Sequence, residues 1–198
     1  MNKQIIRHAF RELRRAIPEN ERKQATQLAA ERLIAHPLFQ ESGHIACYLA
    51  YGSEISTALV IEAIWQQHKK CYLPTVTEAK TLEYVRYARD DRLEENQYGI
   101  LQPEDVTHKI LPRALELVIL PLVAFDETGT RLGAGGGYYD RTFAYFHASP
   151  DRRPTMIGFA YASQQATSLP TDPWDVMMDQ VVTEREVIRC KKNKGSCE

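Results

Sequence analysis

The densest chemistry in this sequence lies between Phe125 and Arg141, in the string Phe-Asp-Glu-Thr-Gly-Thr-Arg-Leu-Gly-Ala-Gly-Gly-Gly-Tyr-Tyr-Asp-Arg. Four glycines, Gly133, Gly135, Gly136 and Gly137, fall within five residues. Glycine reaches positive φ at little cost and presents no Cβ to an approaching ligand. Successive amide N–H groups in such a stretch form a nest for phosphate, and a helix beginning just after it adds positive potential. Arg131 and Arg141 flank the loop and Asp140 follows it, a set suited to an anion together with a metal ion. A tight turn without a ligand is the plain alternative. Two known phosphate patterns are excluded: Tyr138 stands where Gly-x-Gly-x-x-Gly needs its third glycine, and a P-loop's Gly-Lys-Ser/Thr does not occur.

A second candidate set is the row of cations Lys3, Arg7 and Arg11. Their four-residue spacing places them on one helix face, where they could follow a chain of phosphates. From the residues alone, a solvated basic face is the ordinary meaning of such a stripe. Glu54, just after the turn Tyr51-Gly52-Ser53, is placed to favour the dipole of a helix starting there.

These residues need elements to hold them. Met1 to Ile17 reads as an amphipathic helix with Ile6, Ala9, Phe10, Leu13 and Ile17 on one arc and Lys3, Arg7, Arg11, Arg14 and Arg15 on the other. Pro18 breaks it and opens a second helix to about Ala35, which Pro37 ends. His44–Ala50 reads as a buried strand, and Ser53 as the cap of a helix from Glu54 to His68. Cys71–Pro74, Leu82–Tyr87, Leu117–Leu120, Met156–Ala160 and Gln180–Thr183 read as further strands. Asp90–Asn96 is polar, helical or looped; Pro121–Gly137 is loop-like; Tyr138–His147 is helical. Strands alternating with helices predict an α/β fold, a three-layer sandwich whose central sheet is mostly parallel or mixed, with helices on both faces. Ligands of such sheets bind at the carboxyl ends of the strands, here Ala50–Gly52, Pro121–Gly137 and the stretch after Ala160.

Composition limits the function. Lys plus Arg is 25 and Asp plus Glu 26 in 198 residues, a net charge of -1, so neither nucleic acid nor an anionic membrane is an expected partner. The longest apolar stretch, Leu117 to Phe125, is interrupted by Pro121 and falls short of the ~20 residues a membrane span needs. Cys47 and Cys71 lie in apolar runs, and Cys190 and Cys197 in a Lys-rich tail. No zinc-ligand spacing exists among them, which fits buried thiols in a reducing cytoplasm.

The whole string at 125–141 closely resembles the signature of the 5-formyltetrahydrofolate cyclo-ligase family, also called 5,10-methenyltetrahydrofolate synthetases. The basic N-terminal helix, Tyr-Gly-Ser-Glu-Ile-Ser-Thr at 51–57, Gly99-Ile100-Leu101-Gln102-Pro103 and Asp179-Gln180-Val181-Val182-Thr183 follow in the family's order, so the likeness spans about residues 3 to 184. It implies one cyclo-ligase domain over residues 1–184, a tail at 185–198 expected to be disordered in part, and a topology like the phosphosugar-isomerase and CoA-transferase group with two N-terminal helices packed on the sheet. It also implies ATP- and Mg²⁺-dependent cyclisation of 5-formyltetrahydrofolate to 5,10-methenyltetrahydrofolate through a phosphorylated imidate, with ADP and phosphate released. Lys3, Arg7 and Arg11 match ATP contacts. Gly133, Ala134, Gly135, Gly136, Gly137, Tyr138, Tyr139 and Asp140 would wrap the phosphates, with Gly136 to Tyr139 also touching folate. Arg131 and Tyr139 match catalytic positions, Leu49 and Glu54 folate contacts, and Asp140 and Asp179 the Mg²⁺ carboxylates. Some relatives carry Lys where Gly136 stands, which removes one phosphate cation here. The expected partners are small-molecule substrates alone, and the expected state is a cytoplasmic monomer.

Overall fold

In the computed structural model, residues 2–147 and 153–191 are described. Helix α1 spans Lys3–Arg15, with the Asn2 side chain accepting the Gln4 N–H at 2.8 Å as its N-cap. Its buried side departs from the expected arc. Ile6 is buried, but Leu13 is 54% exposed while Arg14 is only 8% exposed. The reason is where the helix lies. Ile6 and Phe10 pack on Ala124, Leu132 and Leu169, away from the main sheet, so the side facing inward meets backbone carbonyls as well as apolar groups. Only the second helix of the two packs on the sheet. That helix, α2, spans Glu19–Ile34 and buries Ala29, Ala30 and Leu33; Pro18 is its N-cap residue. Pro37 does more than end it, since it opens the short helix α3, Pro37–Glu41.

Strand β1 is His44–Ala46, shorter than expected. Residues 51–56 then form a turn, and α4 runs only over Ala58–Gln66 behind Thr57. The expected helix start at Glu54 fails because side-chain bonds hold the turn in another conformation. The Glu54 carboxylate takes the Tyr51 N–H, the Ile55 carbonyl takes the Tyr48 hydroxyl at 2.9 Å, and the Thr57 hydroxyl donates to the Tyr48 carbonyl.

Strands β2 (Lys70–Val76) and β3 (Leu82–Tyr87) follow. Within the polar stretch Asp90–Asn96, Leu93–Glu95 form strand β4, paired in a hairpin with β5 (Leu101–Pro103), and the other residues are turn or loop. After β6 (Lys109–Ile110) comes β7 (Leu117–Leu120), whose four residues are all buried. The stretch read as loop contains a hairpin of β8 (Ala124–Phe125) and β9 (Arg131–Leu132). Helix α5 is Tyr138–Thr142, and Ala144–His147 is a separate 3-10 turn. Strands β10 (Thr155–Phe159), β11 (Gln180–Val182) and β12 (Val187–Arg189) complete the chain. Part of the supposed tail is thus an edge strand; residues 192–198, with Cys197, lie outside the described residues.

The main sheet has the order β12-β11-β10-β7-β1-β2-β3-β6. Strands β11, β10, β7, β1 and β2 are mutually parallel; β12 and β3 run antiparallel to them, and β6 pairs antiparallel with β3. This is the mixed, mostly parallel sheet expected. On one face Leu33, Phe39 and Ile64 from α2, α3 and α4 pack on Ile45, Leu117 and Ile157. On the other, Phe143 and Phe146 beside α5 pack with Tyr84, Val118 and Met156. Each such side chain contributes about 1.5–3 kcal/mol by leaving water. Among the described residues no helix is long and apolar enough to cross a membrane.

Candidate functional site

The glycine loop hangs from the β8–β9 hairpin, and Asp126 builds that hairpin. Buried to 2% exposure, its Oδ1 accepts the Thr128 N–H and hydroxyl at 2.9 and 2.6 Å, and its Oδ2 accepts the Leu169 N–H at 2.8 Å. Gly129 completes the turn at φ +88°, where a Cβ would lie 2.5 Å from the Met178 carbonyl oxygen. The Phe-Asp-x-x-Gly part of the signature is therefore architecture.

The loop itself is tied down by arginines. Arg7 Nε donates to the Gly133 carbonyl at 2.9 Å, Arg11 Nη2 to the Ala134 carbonyl at 3.0 Å, and Arg141 Nη2 to the Gly136 carbonyl at 2.6 Å. In a planar trans peptide the N–H points opposite to the carbonyl, and the chain has no cis bond among the described residues. The N–H groups of Ala134, Gly135 and Gly137 are thereby directed away from these arginines, and none of the three is bonded among the described residues. These N–H groups are left as donors for a ligand such as an anion. Lys3 goes elsewhere: its Nζ lies 2.7 Å from Asp172 Oδ2 and 3.0 Å from Asp175 Oδ2. The structure thus joins two members of the cation row to the loop and the third to a pair of carboxylates.

Arg131 lies beside the loop, its Nη2 2.9 Å from Asp140 Oδ1 and its Cζ 5.2 Å from the centre of the Tyr139 ring. Its side chain is 4% exposed, and its buried Nε has no partner among the described residues. Burial pushes the Tyr139 phenol well above its ordinary pKa, so it stays a hydrogen-bond donor at neutral pH. The Tyr138 hydroxyl donates to that of Tyr98 at 2.9 Å, which brings the tip of the β4–β5 hairpin to the loop. In the sequence Tyr98 is one aromatic beside the Gly99–Pro103 segment, and nothing in its spacing marks it.

The other flank is the turn after β1. Leu49 is half-buried against the first core. Glu54 Oε2 accepts the Tyr51 N–H at 3.1 Å. Burial pushes its carboxyl above the ordinary range, while the Tyr51 N–H and the charge of Arg14 pull it back. The helical pattern places Arg14 on the polar arc of the first helix. Its Nε instead donates to Ser53 Oγ at 3.0 Å and its Nη1 to the Leu122 carbonyl at 3.2 Å. The signal was present, since positions 3, 7, 11 and 14 continue one helical face. Trp174 is 63% exposed.

The two carboxylates matched to a metal differ. Asp140 Oδ1 takes Arg131 and the Val176 N–H at 3.2 Å, while Oδ2 takes no bond among the described residues. It fits one place in a Mg²⁺ sphere otherwise filled by waters and phosphate oxygens. Asp179, at the amino end of β11, gives one oxygen to Arg153 and the other to the Met156 N–H at 2.9 Å. It would have to exchange these for a metal, and no bond joins it to Asp140. Among the described residues no group of three or more His, Cys, Asp or Glu side chains is placed to hold a metal ion.

Residues 1–184 match the profile of the 5-formyltetrahydrofolate cyclo-ligase family. The chain is similar to the 5-formyltetrahydrofolate cyclo-ligase of Haemophilus influenzae, 34% identical over 183 residues that cover 91% of this chain and 96% of the relative. It is 33% identical to that of Escherichia coli over 184 residues, 90% of this chain and 98% of the relative. Its fold resembles the solution structure of the 5,10-methenyltetrahydrofolate synthetase of Aquifex aeolicus, with a TM-score of 0.83 and 28% identity over 100% of this chain and 97% of that one.

Proposed function

We propose, from the premise that this chain belongs to the 5-formyltetrahydrofolate cyclo-ligase family, that it is the ATP- and Mg²⁺-dependent enzyme closing 5-formyltetrahydrofolate to 5,10-methenyltetrahydrofolate. The observation that carries this reading is the bonding of Arg7 and Arg11 to the Gly133 and Ala134 carbonyls, which sets two cations of the row against the glycine loop.

The chemistry needs such a site. The formyl oxygen on N5 is amide-like and leaves poorly. In the proposed sequence it attacks the γ-phosphorus of ATP, and ADP departs. N10 then adds to the activated carbon and loses its proton, and phosphate leaves as the ring closes. The protein's share is positioning and charge neutralisation. Gly133–Gly137 hold the phosphates through backbone N–H groups. Arg7 and Arg11 fix the loop by its carbonyls and add positive potential from behind it, and Lys3 joins when it leaves Asp172 and Asp175. Arg131, with its unused Nε, faces the transferred group, and Tyr139 donates its phenol proton as a hydrogen bond. Glu54 accepts the paired N–H groups of the pterin edge, and Leu49 and Tyr138 pack on the folate. Asp140, with Asp179 once freed from Arg153, would hold Mg²⁺, which neutralises phosphate charge when bound. We read the protein as a monomer of the cytoplasm, a compartment that suits the buried free thiols Cys47 and Cys71.

The test is formation of methenyl product, followed by absorbance, with one ADP released per turnover. Product formed without ATP, or ATP consumed without product, would refute the reading.

A further inference from the structure

We propose that Arg14 is a positioning residue for the folate side of this site: it ties the turn carrying Glu54 to the segment carrying the glycine loop and is the countercharge to Glu54. The proposal rests on the reading of Glu54 as the pterin contact.

Arg14 is the one arginine of α1 whose whole residue is buried, at 8% exposure. Burying a cation is costly unless it is bonded and its charge is answered. Its bonds go to two different segments. Ser53 Oγ belongs to the turn after β1, and the Leu122 carbonyl to the connection that enters β8 and hence the glycine loop. A third segment, the turn at 162–164, meets the same carbonyl through Gln164 Nε2 at 2.8 Å. With α1 itself, whose Arg7 and Arg11 hold the loop, one side chain links the folate flank to the phosphate flank.

The charge needs an answer too. Arg14 is in no ion-pair contact among the described residues. Glu54, next to Ser53, is the carboxylate that acts most strongly on it; the phenols of Tyr48 and Tyr161 and the Arg11 cation also face it. Around Glu54 stand Arg14 from α1, the Tyr51 N–H of its own turn, Tyr48 from the extension of β1 and Tyr139 from α5. Arg14 is the single cation in that set. Burial disfavours the Glu54 carboxylate, and Arg14 opposes this. The pterin edge offers two N–H donors side by side, which an ionised carboxylate accepts and a protonated one does not. Folate capture therefore follows the charge of Glu54, and Arg14 holds that charge in place.

The experiment measures kcat/KM for 5-formyltetrahydrofolate from about pH 5 to 8.5, and binding of the folate without ATP by fluorescence titration. The proteins are wild type, Arg14→Gln, Arg14→Lys, Glu54→Gln and Ser53→Ala. Arg14→Gln keeps a polar reach towards Ser53 but drops the charge. Its acid limb should move up by about one pH unit while the ATP KM stays within about twofold. Arg14→Lys should fall close to wild type in limb position. Glu54→Gln should lose the limb and weaken folate binding about tenfold or more. If Glu54→Gln weakens folate but Arg14→Gln titrates as wild type does, Arg14 is structural only and the proposal falls alone. If Glu54→Gln binds folate normally, the pterin role of Glu54 falls and takes the proposal with it. Should Arg14→Gln fail to fold, Ser53→Ala decides: a folate KM raised about three- to tenfold with kcat and ATP KM unchanged supports the tie, and no change overturns it.

Discussion

Arg131 and Asp140 are paired across the boundary between core and solvent. Their side chains are 4% and 21% exposed, with 2.9 Å between Nη2 and Oδ1. The buried partner depends on the exposed one for its countercharge, while the exposed one keeps an oxygen for something else. Asp140→Asn should therefore fail in two ways at once. Turnover should drop by about 100-fold or more as the metal contact weakens. Stability should drop by about 1–3 kcal/mol, because the amide oxygen still bonds Arg131 but no longer answers its charge. Activity against Mg²⁺ concentration and thermal unfolding read the two effects separately. Wild-type turnover should stop in excess chelator and return with Mg²⁺ or Mn²⁺; full activity in chelator would sink the metal assignment.

Arg7 bonds the loop through Nε on Gly133 alone among the described residues, and in the proposed reading it adds positive potential for the phosphates. Arg7→Ala should cost about 1.5–3 kcal/mol in ATP use, roughly a 10- to 150-fold loss of kcat/KM for ATP. The folate KM should stay within about twofold. An ATP KM equal to wild type would return the cation row to a solvated face.

Glu54 sets function against stability. Its folded carboxyl is raised above the unfolded value, chiefly by burial. Above the folded pKa the unfolded chain is favoured because its carboxylate is hydrated; below the unfolded pKa, near ~4.3, the difference vanishes. Glu54→Gln should therefore melt higher than wild type at pH 7 to 8, with the gap closing as pH falls towards ~4. A lower melting temperature at neutral pH would show that the Tyr51 bond and Arg14 outweigh the burial.

The sheet was legible in the sequence because its strands are short apolar runs, and Leu117–Leu120 and Leu82–Tyr87 have the bounds read from pattern alone. The turn at 51–57 was not, since a helix start at Glu54 obeys every local rule. What moved the start to Ala58 is a set of side-chain bonds involving Tyr48, Glu54 and Thr57 that no periodicity records. The small hairpins were missed because β8 and β9 have two residues each, too few for alternation to show. At the site, residue types and spacing located the glycine loop and the cation row. They could not show that Lys3 is held by Asp172 and Asp175, or that Arg14 turns inward, because both depend on what the helix lies against.

Two glycines of the signature, six residues apart, test whether architecture and ligand contact separate. Both have positive φ, +88° at Gly129 and +113° at Gly135, so valine strains either backbone. Their surroundings differ. At Gly129 a Cβ would lie 2.5 Å from the Met178 carbonyl oxygen and 3.0 Å from Cys190 Cβ, and Met178 is held by its N–H bond to the Gly129 carbonyl at 2.9 Å. At Gly135 its nearest neighbour would be the guanidinium of Arg7 at 3.7 Å, an ordinary contact. Gly129→Val should therefore yield little soluble protein. Gly135→Val should fold with a loss of about 1–3 kcal/mol, which a domain with ~5–15 kcal/mol of stability survives. That folded variant should be inactive, because the branched side chain alters the backbone whose N–H groups face outward and fills the space an anion would enter. Mg-ATP should raise the melting temperature of wild type but not of Gly135→Val. An undiminished shift in the folded variant would place the phosphates elsewhere and leave Gly133–Gly137 as a turn that only connects β9 to α5.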